Sequence, residues 1–255
     1  MNPASVPPAL ETRSLEKRFG GIVASNQVSM SIARGARHAL IGPNGAGKTT
    51  LINLLTGVLK PSSGEILLDG QDITTLEPHR RVRLGMARTF QINQLFADLT
   101  PVETLGLAIS ERLGTGTHWW RVPGSRPEVV AEIAALLERF RLTEVMNERT
   151  AVLPYGKQRL LEIALAFACQ PRVLLLDEPA AGVPDAERHE ILAAVAGLPA
   201  DVTVLLIEHD MDIVFTFADR ISVLVNGQVF VEGTPDEVAR DPRVKAVYLG
   251  ESLDA

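Results

Sequence analysis

One glycine-rich stretch restricts more strongly than any other what this chain can fold into. It reads Gly42-Pro43-Asn44-Gly45-Ala46-Gly47-Lys48-Thr49-Thr50 and matches the pattern G-x-x-x-x-G-K-[ST] in full. An apolar run, residues 38–41, precedes it, and a second apolar run with helical propensity, residues 51–55, follows it. This context predicts a strand, a phosphate-binding loop and a helix. Glycines let backbone N–H groups approach a polyphosphate, and the helix beginning near Lys48 turns its positive end toward the same anion.

Two side chains of this loop carry further chemistry. Lys48 adds a full positive charge near the outer phosphates, and the hydroxyl of Thr49 can ligate Mg²⁺. The alternative is a glycine-rich turn that binds nothing, but it does not explain why the whole motif stands between a strand and a helix. We therefore predict a nucleotide site at this loop.

Composition limits the class of protein. The chain has 255 residues, 46% of them hydrophobic, which is enough for one large domain or a core with a subdomain. A formal net charge of −6 argues against general nucleic-acid binding. The single cysteine, Cys169, excludes a disulfide framework and is interpreted as a buried, inert thiol. We expect no membrane span and no signal peptide, so action at a membrane would require a partner.

Acidic residues follow a second predicted strand. Residues 173–176 form an apolar run that ends in Asp177 and Glu178. Asp177 is suited to hold Mg²⁺, and Glu178 to orient and deprotonate an attacking water. His209 follows the next strand in the same way, so it could also reach the phosphates. The alternative for each residue is an exposed side chain without a function. Ligands bind beyond the carboxyl ends of parallel strands, however, and this position favours a functional site.

The remaining pattern predicts an α/β protein. Apolar strands alternate with helical stretches after residue 170, and residues from about 98 to 168 have helical character. Asn226-Gly227 predicts a hairpin turn. Two smaller features stay open to interpretation. An arginine cluster is interpreted as a solvated helix face, and the pair Trp119-Trp120 either pins a loop to the body or contacts a partner. The cluster comprises Arg80, Arg81, Arg83 and Arg88.

Taken together, these motifs resemble the nucleotide-binding subunit of an ABC transporter, from about Leu10 to the end of the chain. Each element occurs in the order found in that family. The loop at 42–50 corresponds to Walker A, 174–178 to Walker B, Gln91 to the Q-loop, 153–157 to the LSGGQ signature, 181–184 to the D-loop, His209 to the switch histidine and Phe19 to the aromatic that stacks on adenine.

The resemblance implies a fold and a domain organisation. The fold would be a RecA-like P-loop NTPase core with a mainly parallel sheet, an antiparallel β edge region and an α-helical subdomain. Residues 1–9 would form a flexible tail, 10–95 and 170–255 the ATP-binding core, and 96–169 the helical subdomain with the signature.

It also implies a site for ATP and Mg²⁺ in a head-to-tail dimer. The catalytic residues would be Glu178, His209 and Gln91, and the metal would be held by Thr49, Gln91 and Asp177. The signature residues of the second subunit would cover the γ-phosphate. The nucleotide-binding residues would be Phe19, Gly42, Pro43, Asn44, Gly45, Ala46, Gly47, Lys48, Thr49, Thr50, Tyr155, Gly156 and Lys157.

Three residues depart from the family pattern. Pro154 stands where the signature has serine, Lys157 where it has glutamine, and Pro184 where the D-loop has an acid or amide. The Gly156 N–H and the helix after it can still present a positive end to phosphate, and Lys157 could add charge. The departures concern the contacts between subunits and not nucleotide binding.

Within the family, the chain resembles the ATP-binding subunits of branched-chain amino acid importers. The segments that carry this are 88–91, 155–164, 207–211 and 248–251. The implied partners are ABC permease subunits, a second ATP-binding subunit in a homo- or heterodimer and, indirectly, a solute-binding protein, with no nucleic acid. The implied location is the cytoplasmic face of the inner membrane, through the permease.

Several alternatives remain at this stage. Urea or short-amide importers and the lipopolysaccharide exporter have similar ATP-binding subunits. A non-transport ABC ATPase, a small-molecule kinase or GTPase, and a regulatory subunit that binds ATP without hydrolysing it are rivals of other classes. The sequence alone decides neither the cargo nor the direction of transport.

Overall fold

The computed structural model describes residues 6–89, 95–114 and 126–249. Gln91 and the pair Trp119-Trp120 lie outside the described residues. Two compact units are present. The first unit comprises residues up to 86, 172–175 and those from 199 onward, and the second comprises 87–171 and 176–198.

Strands and helices are numbered in chain order. The strands are β1 (Leu10–Phe19), β2 (Ile22–Ile32), β3 (Arg37–Ile41), β4 (Ser63–Leu68), β5 (Gln71–Asp72), β6 (Met86–Arg88), β7 (Val173–Asp177), β8 (Thr203–Ile207), β9 (Arg220–Val225) and β10 (Gln228–Gly233). The helices are α1 (Lys48–Leu55), α2 (Pro78–Arg83), α3 (Pro101–Arg112), α4 (Pro127–Arg139), α5 (Tyr155–Ala168), α6 (Asp185–Ala196), α7 (Met211–Phe217), α8 (Pro235–Arg240) and α9 (Pro242–Leu249). Where the chain is described, no helix is both long and apolar enough to cross a bilayer.

The first unit contains an antiparallel sheet in the order β2-β1-β4-β5. Strand β1 pairs with both β2 and β4, and Leu10 lies opposite Ile32 on one side and Leu68 on the other. All three of these side chains are buried. Apolar residues therefore face inward across the sheet, as the alternating pattern of residues 10–15 and 28–32 predicts.

A six-stranded sheet has the order β10-β9-β3-β8-β7-β6. Strand β3 pairs in parallel with β8 and with β9, and all three strands are almost entirely buried. Asn226 and Gly227 connect β9 to the antiparallel β10, with φ angles of 48° and 75°. Two consecutive positive φ angles are what a tight hairpin turn requires, so the turn predicted from Asn-Gly is confirmed.

The arginine cluster is only partly a solvated face. Arg80 and Arg83 are exposed, but Arg81 is 2% exposed. Its guanidinium donates to the carbonyls of Leu54 at 2.8 Å and Leu55 at 2.6 Å, at the end of α1. Burial lowers the pKa of Arg81 to about 10, so the group stays charged at neutral pH. The prediction was wrong for Arg81 because the last carbonyls of a helix need donors.

In the second unit, helix α3 begins at Pro101, directly after Thr100. Thr100 accepts a hydrogen bond from the Glu103 N–H at 3.3 Å, and the Glu103 carboxylate accepts one from the Thr100 N–H at 2.8 Å. This reciprocal capping box fixes the first turn. Helix α4 buries one apolar stripe, which comprises Val129, Ile133, Leu136 and Leu137.

Candidate nucleotide site

The glycine-rich loop joins β3 to α1, as the motif predicts. Two of its glycines allow no side chain. A Cβ on Gly42 would lie 2.2 Å from the Leu224 carbonyl oxygen, and one on Gly47 2.5 Å from that of Ala24. Both also have positive φ, 156° and 101°. Only glycine satisfies the close approach and the backbone angles together, so the loop is held in one shape by strands of its own unit.

Lys48 begins α1 and its ammonium group bends back over the loop. The Nζ atom donates to the Gly42 carbonyl at 2.6 Å and to the Pro43 carbonyl at 3.1 Å. Thr49 and Asn44 are exposed beside it, and no acidic residue occupies the first turn of α1. Mg²⁺-bound polyphosphate needs hydrogen-bond donors, positive charge and an oxygen ligand for the metal. This loop supplies them as backbone N–H groups, the N-terminus of α1, the Lys48 ammonium and the Thr49 hydroxyl. The residues present therefore fit the predicted ligands.

Two other predicted residues lie in the first unit. Phe19 ends β1 with 47% of its surface exposed, and the Lys17 ammonium lies 5.1 Å from its ring centre. The side chain of His209 is 66% exposed, and its backbone N–H donates to the Glu208 carboxylate at 3.2 Å. Each side chain is accessible, and the roles assigned to them remain predictions.

In the second unit, Asp177 ends β7 and is held by two neighbours. Arg88 donates to its carboxylate at 2.8 Å, with side chains 11% and 9% exposed. The Asp177 N–H donates to the Thr89 hydroxyl at 3.3 Å. Arg88 therefore is not part of a solvated face, because it neutralises a nearly buried carboxylate. Any metal at Asp177 would share this carboxylate with Arg88.

Glu178 follows in an unusual backbone conformation. Its φ of 46° lies in the left-handed region, which non-glycine residues rarely adopt. The Glu178 carbonyl accepts the Ala181 N–H at 3.0 Å, which closes the turn after the strand. The side chain is partly exposed, as a residue that meets water must be.

The start of α5 shows how the chain accommodates two departures from the signature. Pro154 is the N-cap residue and has no hydroxyl to bond the first turn. Instead the Gly156 N–H donates to the Glu187 carboxylate of α6 at 2.8 Å. Lys157 donates to the Glu190 carboxylate at 2.9 Å and to the Arg141 carbonyl at 3.0 Å. The charge of Lys157 is thus engaged inside its own unit.

Cys169 was expected to be buried and inert. It is only partly buried, and its thiol donates to the Leu165 carbonyl at 3.7 Å. Burial raises the pKa of the thiol above its ordinary value, so it stays protonated at neutral pH. A protonated thiol is a poor nucleophile.

The predicted residues fall into three sets. The first unit brings together the loop with Lys48 and Thr49, and it also contains Phe19 and His209. The second unit contains Asp177, Glu178 and the signature residues 155–157. Gln91 lies outside the described residues.

Sequence reasoning missed four residues that contact the candidate site: Arg88, Thr89, Arg159 and Glu187. Arg88 and Asp177 are 89 positions apart, and Gly156 and Glu187 are 31 apart. No local pattern reveals such pairs. The one signal in the sequence was that Arg88 and Thr89 lie three and two positions before Gln91, the predicted Q-loop residue.

An ATP-binding cassette is defined by the phosphate-binding loop, the acidic end of β7 and the signature segment at the start of α5. A family model described as "ABC transporter" matches residues 25–181, and one described as "Branched-chain amino acid ATP-binding cassette transporter" matches residues 228–254. The chain belongs to the ABC transporter family and is an ATP-binding cassette ATPase.

Individual relatives within this family are similar over nearly the whole chain. The chain is 42% identical to the high-affinity branched-chain amino acid transport ATP-binding protein BraF of Pseudomonas aeruginosa, over 96% of this chain and 99% of BraF. It is 41% identical to the corresponding protein LivG of Escherichia coli over the same shares. A crystal structure of an ATP-binding cassette in its ADP conformation matches with a TM-score of 0.82 and 34% identity, over 95% of this chain and 99% of that one. The predicted fold class is confirmed.

Proposed function

We propose that this chain is the ATP-hydrolysing subunit of a membrane transporter that imports branched-chain amino acids. The observation that carries the proposal is the similarity to BraF and LivG, which extends over nearly the whole length of all three chains. The match of a branched-chain amino acid transporter model to residues 228–254 supports it independently of the phosphate-binding loop.

ATP binding is assigned mainly to the first unit. The phosphate-binding loop and Lys48 would bind the phosphates, and Phe19 would stack on adenine. Thr49, Asp177 and Gln91 would hold Mg²⁺, which when bound neutralises phosphate charge. The glycines that admit no Cβ and the ammonium bent over the loop support this assignment.

Hydrolysis is assigned to Glu178 and His209. The Glu178 carboxylate would accept a proton from water as the water oxygen bonds to the γ-phosphorus. The bond from that phosphorus to the oxygen bridging it to the β-phosphorus breaks, giving ADP and phosphate. His209 and Gln91 would orient the attacking water and the γ-phosphate. The partly exposed side chain of Glu178 and the exposed ring of His209 support these roles.

Coupling to transport follows from differential binding. Tyr155, Gly156 and Lys157 of a second cassette would cover the γ-phosphate, so the closed pair is favoured only while that phosphate is present. Hydrolysis removes it and the pair opens. The second cassette is a copy of this chain or a close sibling. The permease would hold both at the cytoplasmic face of the membrane, and a solute-binding protein would deliver cargo on the other side.

The cargo can be tested in a host strain that lacks this gene. We expect uptake of radiolabelled leucine, isoleucine and valine to fall, to return with the wild-type gene and not to return with Glu178→Gln. Urea uptake serves as the comparison, because similar subunits drive urea import. Loss of urea uptake with normal leucine uptake would contradict the proposed cargo and would indicate that the transporter imports urea.

A further inference from the structure

Arg159 is a buried arginine whose guanidinium reaches the turn after β7. It lies in the second turn of α5 and is 1% exposed. One terminal nitrogen donates to the Glu178 carbonyl at 2.8 Å, and the Nε atom donates to the Pro179 carbonyl at 3.3 Å. The other terminal nitrogen donates to the Glu162 carboxylate at 2.6 Å, one turn along the same helix.

This turn receives hydrogen bonds from outside as well as from within. Glu178 has a φ of 46°, and a glutamate in the left-handed region persists only where the surroundings determine its conformation. The Glu178 carbonyl accepts both the Ala181 N–H and the Arg159 guanidinium, and the Pro179 carbonyl accepts the same guanidinium. A planar guanidinium offers several N–H groups in a fixed fork, so one side chain can hold both carbonyls and still bond a carboxylate. The ammonium of a lysine has no such fork.

Stability alone does not account for Arg159. Burying an arginine–glutamate pair carries a desolvation penalty, and well-packed apolar residues often replace such pairs without loss of stability. The Glu162 side chain is 7% exposed, so this pair is of that buried kind. What apolar residues could not supply is the pair of hydrogen bonds that fixes the turn at Glu178.

We propose that Arg159 is a positioning residue for the Glu178 carboxylate. It holds the backbone of Glu178 so that the side chain leaves the turn in one direction, toward the attacking water. The inference rests on the base role given to Glu178 in the proposed function. It predicts that changes at Arg159 act on the hydrolytic step and leave ATP binding intact.

The test compares Mg-ATP hydrolysis and nucleotide affinity in the purified full-length chain. In Arg159→Lys we expect kcat to fall about tenfold to a hundredfold, because a small displacement of a reacting group has effects of that size. We expect the KM and the Kd for a fluorescent ATP analogue to change less than about twofold, since ground-state binding is not affected. Circular dichroism at the assay temperature establishes that each variant is folded.

Arg81→Lys is the matched control. Arg81 is also a buried arginine that donates to backbone carbonyls, at the end of α1. We expect this variant to lose thermal stability and to keep its kcat. A second variant, Arg159→Met with Glu162→Leu, removes the buried pair without leaving an unpaired charge. We expect it to fold and to show the same loss of kcat.

The results distinguish a failure of the positioning role of Arg159 from a failure of the base role of Glu178. If Arg159→Lys or the double variant is folded and keeps the wild-type kcat, or changes only KM, Arg159 is structural and the inference is overturned. If Glu178→Gln itself keeps full hydrolysis, the base role of Glu178 fails whatever the Arg159 variants do.

Discussion

Lys48 is the residue on which nucleotide affinity should depend most. Its ammonium is already aligned over the loop by two carbonyls. In Lys48→Ala we expect tight nucleotide binding to be abolished, with the Kd for a fluorescent ATP analogue raised about a hundredfold, because hydrogen bonds from charged donors contribute about 1.5–3 kcal/mol. Equilibrium titration of the analogue measures this.

Lys245→Ala is the control for that experiment. Lys245 is exposed on α9, so the variant makes the same change in charge away from the loop. We expect its affinity for the analogue to equal that of the wild type. Tight binding by Lys48→Ala would contradict the assignment of the loop.

His38 gives a residue-scale prediction about pH. It is 1% exposed in β3, and its Nε2 atom lies 2.8 Å from the Ser222 hydroxyl. Because that hydroxyl donates to Glu232 at 2.9 Å, Nε2 carries the proton and donates to Ser222. Burial lowers the pKa of His38, and Arg220 lowers it further while Glu232 opposes the shift. The folded state therefore keeps the ring neutral at a pH where the unfolded chain binds a proton.

The sign of the effect follows from this difference. Stability from His38 is present above the unfolded pKa of about 6.5 and is lost as pH falls below it, at a limiting slope of about 1.4 kcal/mol per pH unit. Urea unfolding about one pH unit above and below 6.5 measures the loss. We expect His38→Gln to reduce it and His79→Gln, at an exposed histidine, to leave it unchanged. Equal losses in wild type and His38→Gln would contradict the assignment.

What the sequence predicted at the residue scale depended on local motifs. Lys48, Thr49 and Asp177 could be proposed as site residues because each follows a strand in a recognisable pattern, and their roles stay predictions. The burial of Arg81 and the pairing of Arg88 with Asp177 were not found, because a run of arginines has the same appearance on a solvated face and around buried carbonyls. Only the tertiary partners distinguish the two.

Among the helices, α5 has its N-terminus bonded to a carboxylate of the same chain, that of Glu187. The Gly156 N–H that is expected to meet a γ-phosphate donates to Glu187, and a Cβ at Gly156 would lie 2.2 Å from that carboxylate. An incoming phosphate would have to displace the carboxylate and would be repelled by it. In a Glu178→Gln background we expect Glu187→Gln to strengthen Mg-ATP-dependent association of cassettes by about tenfold in Kd, or about 1.4 kcal/mol.

Sedimentation across protein concentrations measures that association. Glu138→Gln makes the same change in charge at an exposed position of α4, and we expect it to have no effect. Association that is equal to or weaker than in the background variant would show that Glu187 supports the closed pair instead of opposing it.

Local signals were sufficient for the turn between β9 and β10, which Asn226 and Gly227 form as their sequence predicts. Helix α3 lies inside the stretch of helical character predicted from about residue 98 to 168. The bond between α5 and α6 was not predicted, because it depends on how two helices pack. The missing hydroxyl at Pro154 was noted in the sequence, but the residue that replaces its hydrogen bond could be named only from the structure.

At the scale of the whole molecule, the fold class, the family and the ATPase activity were predictable because they depend on the order of motifs along the chain. The domain boundaries and the roles of individual site residues remain predictions. Gln91 has a role assigned by resemblance alone, since it lies outside the described residues. The cargo could be proposed only through the relatives, because other chains of a transporter select it.

In the proposed cycle, two cassettes close on ATP and open once Glu178 has promoted its hydrolysis. The most direct measurement is the mass and nucleotide content of Glu178→Gln cassettes saturated with Mg-ATP, by sedimentation with absorbance detection, in the presence of the permease subunits. We expect paired cassettes with uncleaved ATP retained in each, and hydrolysis reduced about 10²–10⁴-fold. Cassettes that bind ATP but stay single, or that hydrolyse it at the wild-type rate, would contradict it.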